Sequence, residues 1–173
     1  MNDKSNRAFA RKVNADGDEF ARKSGTTLED YARAAGLPVT FLEQLGLRTV
    51  DNPWAAGRPS LAVPYRRRDG TAFRARIWQE ADPGESRAKR VMWDKREEKL
   101  GALLYGLDQL PASGCPVILV DDERACQILW HRGFDAIGAA GASGYYPKRD
   151  DPELTGLGTI TVISSPAAGG LSR

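Results

Sequence analysis

The sequence predicts a mixed α/β protein: a parallel-sheet βαβ core, preceded by a small α+β subdomain with a β-hairpin. Three stretches carry that prediction. "CPVILVDDERACQILWHRGFDAIGAAGASG" sets a short apolar run, a helical pattern and a second apolar run within about 24 residues. "RPSLAVPYRRRDGTAFRARIWQE" alternates apolar and polar residues on both sides of a glycine turn. "TTLEDYARAAGLPVTFLEQLGL" holds two helix patterns separated by Gly36 and Pro38.

Taken in chain order, residues 1–26 are polar and charged without a clear period and are expected to form a loose arm. A helical hairpin is expected over 27–58. Thr27 can cap its first helix, with Asp30 three residues on and Leu28, Tyr31, Ala32 and Ala35 on one face. Gly36 ends that helix. The second is expected to start at Thr40, bury Phe41, Leu42 and Leu45, and stop at Gly46.

Residues 59–110 form the expected hairpin subdomain. A three-residue turn at Arg68, Asp69 and Gly70, with Gly70 left-handed, sets Tyr65 against Phe73, Val63 against Ala75 and Leu61 against Ile77. All six then share the inner face. The opposite face shows Arg66, Arg74 and Arg76 with Trp78, and two readings of it stay open: a solvated sheet face, or a surface that holds a phosphate backbone by charge and stacking.

Residues 111–173 make up the expected βαβ domain. Val117–Val120 is continuously apolar, as in a strand buried on both faces. The segment 123–132 has helical spacing with Ala125, Ile128 and Leu129 inward, and 136–139 forms the next strand. The crossover between them is expected to be right-handed. Thr159–Ser164 is expected to be a third, buried strand. Ligands of such sheets meet the carboxyl ends of the strands, which here gathers Asp121–Glu123 with the loops at 138–144 and 164–170.

Composition narrows the classes. The chain has 173 residues, 41% hydrophobic and 28% charged, with a net charge of +2. No apolar run approaches the ~20 residues of a membrane helix, and the N-terminus lacks a signal-peptide core. No membrane role is expected, and the cytoplasm is the expected location. Cys115, Cys126 and the single His131 make a poor zinc set. Both cysteines are expected in the core, and His131 as a surface or satisfied side chain. Between Arg66 and Lys99, eleven basic residues against seven acidic ones leave +4, and the remainder carries −2. A moderately basic segment is a mild form of the nucleic-acid footprint.

Several phrases together resemble one family. "VILVDDERACQILWHRGFDAIGAAGA" is similar to the opening of the Toprim domain shared by topoisomerases and bacterial-type primases. "RPSLAVPYRRRDGTAFRARIW", then "KLGALLYGLDQL", resembles the segment that precedes that domain in bacterial DNA primases, and the version here is most like primase-like proteins of phages and plasmids. The resemblance covers about residues 27–173.

That resemblance implies a strand-end glutamate for acid/base work and a D-x-D pair that holds magnesium during nucleotidyl transfer. By position, the glutamate falls on Asp121, the turn glycine on Asp122, and a second glutamate is retained as Glu123. Asp121 and Glu123 are thus the implied catalytic and metal-binding residues. The D-x-D acids fall on Ser165 and Ala167, with Gly169 and Gly170 kept. Asp121 is also a methylene short, which sets its oxygens ~1–1.5 Å back and can cost ~100-fold in rate. Relatives continue beyond the Gly-Gly, so this domain is expected to be truncated, with an open sheet edge that can recruit a second copy.

Three functions follow from the resemblance. The first is a primase-like protein that binds single-stranded nucleic acid through Arg66, Arg74, Arg76, Lys95 and Lys99, with catalysis lost or strongly weakened and no resident cofactor. The second is an inhibitor that docks on a host replication or defence protein as a decoy. The third is an active nucleotidyltransferase that uses magnesium.

Overall fold

The structure, a computed structural model, describes residues 25–52, 58–79, 91–94, 102–111, 113–139 and 145–163. It contains a four-stranded antiparallel sheet of order β1-β2-β3-β4 and a three-stranded parallel sheet of order β6-β5-β7. A mixed α/β chain with one sheet of each kind is what the sequence predicts.

Helix α1 spans Leu28–Ala35. Thr27 caps it, accepting from the Asp30 N–H at 3.1 Å. Gly36, at φ 66, ends it in the left-handed conformation that a side chain would resist. Helix α2, Val39–Gln44, starts directly after Pro38, one residue earlier than expected, and buries Leu42. Strand β1, Arg48–Asn52, is absent from the sequence reading of a helical hairpin over this region. "RTVDN" has no alternation of its own. It is held by pairing along β2, Arg58–Arg66, from Arg48↔Ala62 to Asn52↔Arg58, and Thr49 Oγ1 accepts from the Leu28 N–H at 2.9 Å.

Strand β3 is Ala72–Trp78 and β4 is Val91–Trp93. The β2–β3 turn has the expected glycine, with Gly70 at φ 81 and the Arg67 N–H bonded to the Thr71 carbonyl at 2.9 Å. The register beyond it differs from the expected one. Arg66 pairs with Ala72 but Tyr65 pairs with Arg74, so Phe73 is the extra residue of a bulge. One added residue reverses every side chain that follows. Arg74, Arg76 and Trp78 therefore share the face of Tyr65, Val63 and Leu61, while Ala75 and Ile77 turn to the far side.

The parallel sheet is built from β5 (Val117–Val120), helix α3 (Glu123–His131), β6 (Ala136–Gly138) and β7 (Ile160–Ile163). A short helix α4, Pro147–Asp150, and a 3₁₀ turn at Asp151–Leu154 precede β7. Tyr105 bridges antiparallel to Gly138, covering the outer edge of β6. Gly106 beside it, at φ 83, leaves no room for a side chain, because a Cβ there would lie 2.3 Å from the Trp130 ring.

Strand β7 is not the buried strand expected. Thr161, Val162 and Ile163 are all exposed, Val162 at 67%. Ile160 alone packs on the core, so β7 pairs with β5 by its backbone while its side chains face outward. Helix α3 also differs in detail. Ala125, Ile128 and Leu129 are half-buried, whereas the fully buried positions are Glu123, Cys126 and Gln127. Cys126 lies in the core as expected and Cys115 is half-buried.

The core lies between the two sheets. Leu28, Tyr31, Leu42, Leu61, Val63 and Tyr65 meet Leu104, Leu107, Val117 and Ile137 there. Among the described residues no helix is long and apolar enough to cross a membrane.

Candidate functional site

The carboxyl end of β5 leads straight into α3, and this junction holds the acids singled out in the sequence. Asp121 leaves the strand half-buried. Asp122 is the N-cap, its Oδ1 accepting from the Ala125 N–H at 2.7 Å. Glu123, in the first turn, is completely buried. The periodicity that sends Cys126 and Gln127 into the core sends Glu123 with them.

Glu123 Oε1 accepts from the Tyr65 hydroxyl and from Arg76 Nη1, each at 2.5 Å. Its Oε2 is buried with no hydrogen-bond partner among the described residues. The Arg76 side chain is 14% exposed, so this is an ion pair largely removed from water. Burial works against the Arg76 charge, but Glu123 and Tyr65 outweigh it and hold the guanidinium above its ordinary pKa. Burial first, and the neighbouring Glu123 charge second, push the Tyr65 hydroxyl well above its usual range.

A second polar pair lies one turn along α3. Gln127 accepts from the Tyr31 hydroxyl at 2.7 Å and donates to the Tyr105 hydroxyl at 2.9 Å. Burial raises both tyrosines in turn. Aromatic and cationic groups close around these pairs. Trp93 stands edge-on to Tyr65 at 4.7 Å, with the Arg74 and Arg76 guanidinium groups 4.8 and 5.6 Å from its ring. Arg124 lies over Tyr31 at 5.0 Å and over Trp78 at 5.8 Å.

The structure thus joins two residue sets that the sequence reading assigns to separate places. Arg76, expected on an outer phosphate-binding face, meets Glu123, expected at a metal site. Arg74 is half-buried and donates to the Asp94 carbonyl at 2.8 Å. Arg66 stays half-exposed, 3.9 Å from Asp108. Arg67 is exposed and stacks on Phe73, and Arg68 donates to the Glu153 carbonyl at 2.8 Å. Lys95 and Lys99 lie outside the described residues, as do Ser165, Ala167 and the loop at 164–170. His131 is exposed and edge-on to Phe41. Tyr65, Tyr105 and Gln127 are not singled out in the sequence as site residues, and Tyr31, expected with Phe41 and Leu45 on a docking surface in the decoy reading, is buried. Gln127, at i+4 from Glu123, is the one signal in the sequence, since two polar residues one turn apart mark a shared face.

Among the described residues the acids are not gathered as a magnesium ion would require, and the loop 164–170 that would complete such a site lies outside them. Such an ion takes a near-octahedral set of oxygens, several of them charged. Here Glu123 turns inward to a cation, Asp122 caps a helix, and no group of three or more His, Cys, Asp or Glu is gathered among the described residues.

No family model matches the chain, and no curated protein matches its sequence. Among solved structures, its fold is similar to that of the Aquifex aeolicus primase zinc-binding and RNA polymerase domains, with a TM-score of 0.58 at 11% identity. The likeness covers 79% of this chain and 42% of that one, so the chain spans less than half of its length. At that identity the likeness is one of fold, and the fold is primase-like.

Two predictions follow from this geometry. Removing one member of the buried pair, as Glu123→Gln or Arg76→Met, is expected to cost ~3–5 kcal/mol in urea denaturation, because the other charge stays buried alone. The double variant costs clearly less than the sum. Additive losses contradict the pairing. Separately, Tyr31, Tyr65 and Tyr105 all have raised pKa values. The unfolded chain releases their protons first, so stability is intact below about pH 10 and falls above it, by about 1.4 kcal/mol per pH unit per tyrosine. The tyrosinate absorbance of these three should therefore rise only together with loss of far-UV dichroism in an alkaline titration. Ionisation of all the tyrosines in a still-folded chain contradicts this.

Proposed function

We propose that this chain is a primase-derived module, of the phage or plasmid kind, that binds single-stranded nucleic acid and has lost or nearly lost nucleotidyl transfer. The observation that carries the loss of catalysis is the commitment of Glu123 to Arg76 and Tyr65, at 2.5 Å from each. By the sequence resemblance, Ser165 and Ala167 stand where the metal-holding acids belong. The primase-like fold and the +4 charge over residues 66–99 support nucleic acid as the ligand.

The binding set is drawn from Arg66, Arg67 and Arg68 at the β2–β3 turn, and from Lys95 and Lys99 of the same basic stretch of sequence. Phosphate contacts from such a turn give sequence-independent affinity. Arg74 and Arg76 act one step back, as the groups that fix the sheet bearing the turn.

A second reading, a decoy that docks on a replication or defence protein, is favoured by one observation: β7 exposes Val162 and Ile163 at 67% and 51%. A stoichiometric complex with one host protein, unchanged by nuclease, supports that reading over the first.

The test of the first reading is fluorescence anisotropy with a labelled oligothymidylate. Binding is expected at low salt, with log K falling by roughly 0.7 per phosphate contact for each unit of log salt. Arg67→Glu with Arg68→Glu should weaken it at least about tenfold and flatten that slope. Absence of binding at low salt removes the proposal.

A further inference from the structure

The β2–β3 turn is braced by its own bonds. The Arg67 N–H donates to the Thr71 carbonyl and the Gly70 N–H to the Arg67 carbonyl, each at 2.9 Å. Asp69 Oδ1 accepts from the Thr71 N–H at 2.9 Å and from the Thr71 hydroxyl at 2.6 Å. Residues 67–72 are nevertheless all exposed, and a Cβ on Gly70 would meet nothing within 4 Å. A turn with a fixed backbone thus stands out in solvent.

Its three arginines are not equivalent. Arg66 faces Asp108 at 3.9 Å, and Arg68 donates to the Glu153 carbonyl at 2.8 Å. Arg67 instead lies over the Phe73 ring, its guanidinium carbon 4.9 Å from the centroid. Phe73 is the extra residue of the bulge, a device that re-aims a side chain out of the regular ladder. It is half-buried and packs against the core cluster, whereas Arg67 is exposed. The ring is therefore a fixed floor, and the guanidinium is a planar cation held on it by cation–π attraction. Asp69, two residues on, commits its carboxylate to Thr71, whose bonds are the main cause that lowers its pKa, with the Arg67 charge a lesser one.

A phosphate needs only a positive charge, which a lysine supplies as well. A flat cation laid on an aromatic ring and exposed to solvent offers something further, since nucleobases stack on arginine planes. We infer that Arg67, seated on Phe73, is a stacking platform for one unpaired nucleobase. This rests on the nucleic-acid reading above and gives it a means of choosing single strands, because the bases of a duplex are already stacked on one another.

The experiment is fluorescence anisotropy at low salt with two labelled oligomers of equal length, an oligothymidylate and its abasic counterpart, which keeps the phosphates and lacks the bases. The wild type should bind the oligothymidylate about tenfold more tightly. Arg67→Lys keeps the charge and loses the plane, and Phe73→Leu removes the floor. Each should cut that preference to at most about twofold, with far-UV dichroism unchanged. Arg67→Lys changes an exposed side chain, so it decides the matter even where Phe73→Leu disturbs the fold. A full preference retained in either folded variant overturns the inference. Equal wild-type binding of the two oligomers overturns it while leaving the nucleic-acid reading in place, and binding of neither overturns both.

Discussion

One buried carboxylate governs how the two sheets of this protein face each other. Glu123 sits in the first turn of α3, where helical geometry sends it inward, and an isolated charge there costs several kcal/mol. Arg76 and Tyr65, both from the antiparallel sheet, meet the charge on one oxygen. Removing either partner leaves a buried charge uncompensated, whereas replacing the pair with apolar groups of equal size need not weaken the fold. The pair's geometry demands that β3 present Arg76 to α3, and the bulge at Phe73 is what makes β3 do so.

The neighbouring contacts follow from that choice. With Arg76 turned inward, Arg74 and Trp78 turn with it, and Trp93 from β4 lies against both guanidinium groups and the Tyr65 ring. One turn along α3, Gln127 ties Tyr31 and Tyr105 together. Three elements distant in sequence thus converge on one helix face that buries Glu123 and Gln127 beside Cys126. Among the described residues, the strand exit, where ligands of parallel sheets bind, holds Asp121 and a capping Asp122. A residue that the family resemblance places beside a metal has become part of the packing.

The parts of this fold that were legible in the sequence are those set by local chemistry. Val117–Val120, the helix after it and Ala136–Gly138 stand out by apolar runs and spacing, while Thr27 and Gly36 mark the two ends of α1 and Gly70 the hairpin turn as expected. The register of the hairpin was not legible, because a bulge is one uncounted residue and the alternation in "FRARIW" fits either face. Charge pointed the wrong way there, since arginines suggest solvent and the carboxylate that admits Arg76 is 47 residues away. Strand β1 had no pattern because its pairing partner, not its own side chains, defines it. Strand β7 looked buried because Ile160, Val162 and Ile163 are apolar, although it pairs with β5 while packing only Ile160 on the core and exposing Val162 and Ile163.

Isothermal titration calorimetry of the folded chain with magnesium and manganese tests the central claim most directly, since it asks whether Glu123 is committed to Arg76 or available to an ion. The account predicts no saturable heat from either metal, in the wild type or in Glu123→Gln. A saturable binding isotherm in the wild type that disappears in a folded Glu123→Gln variant contradicts it.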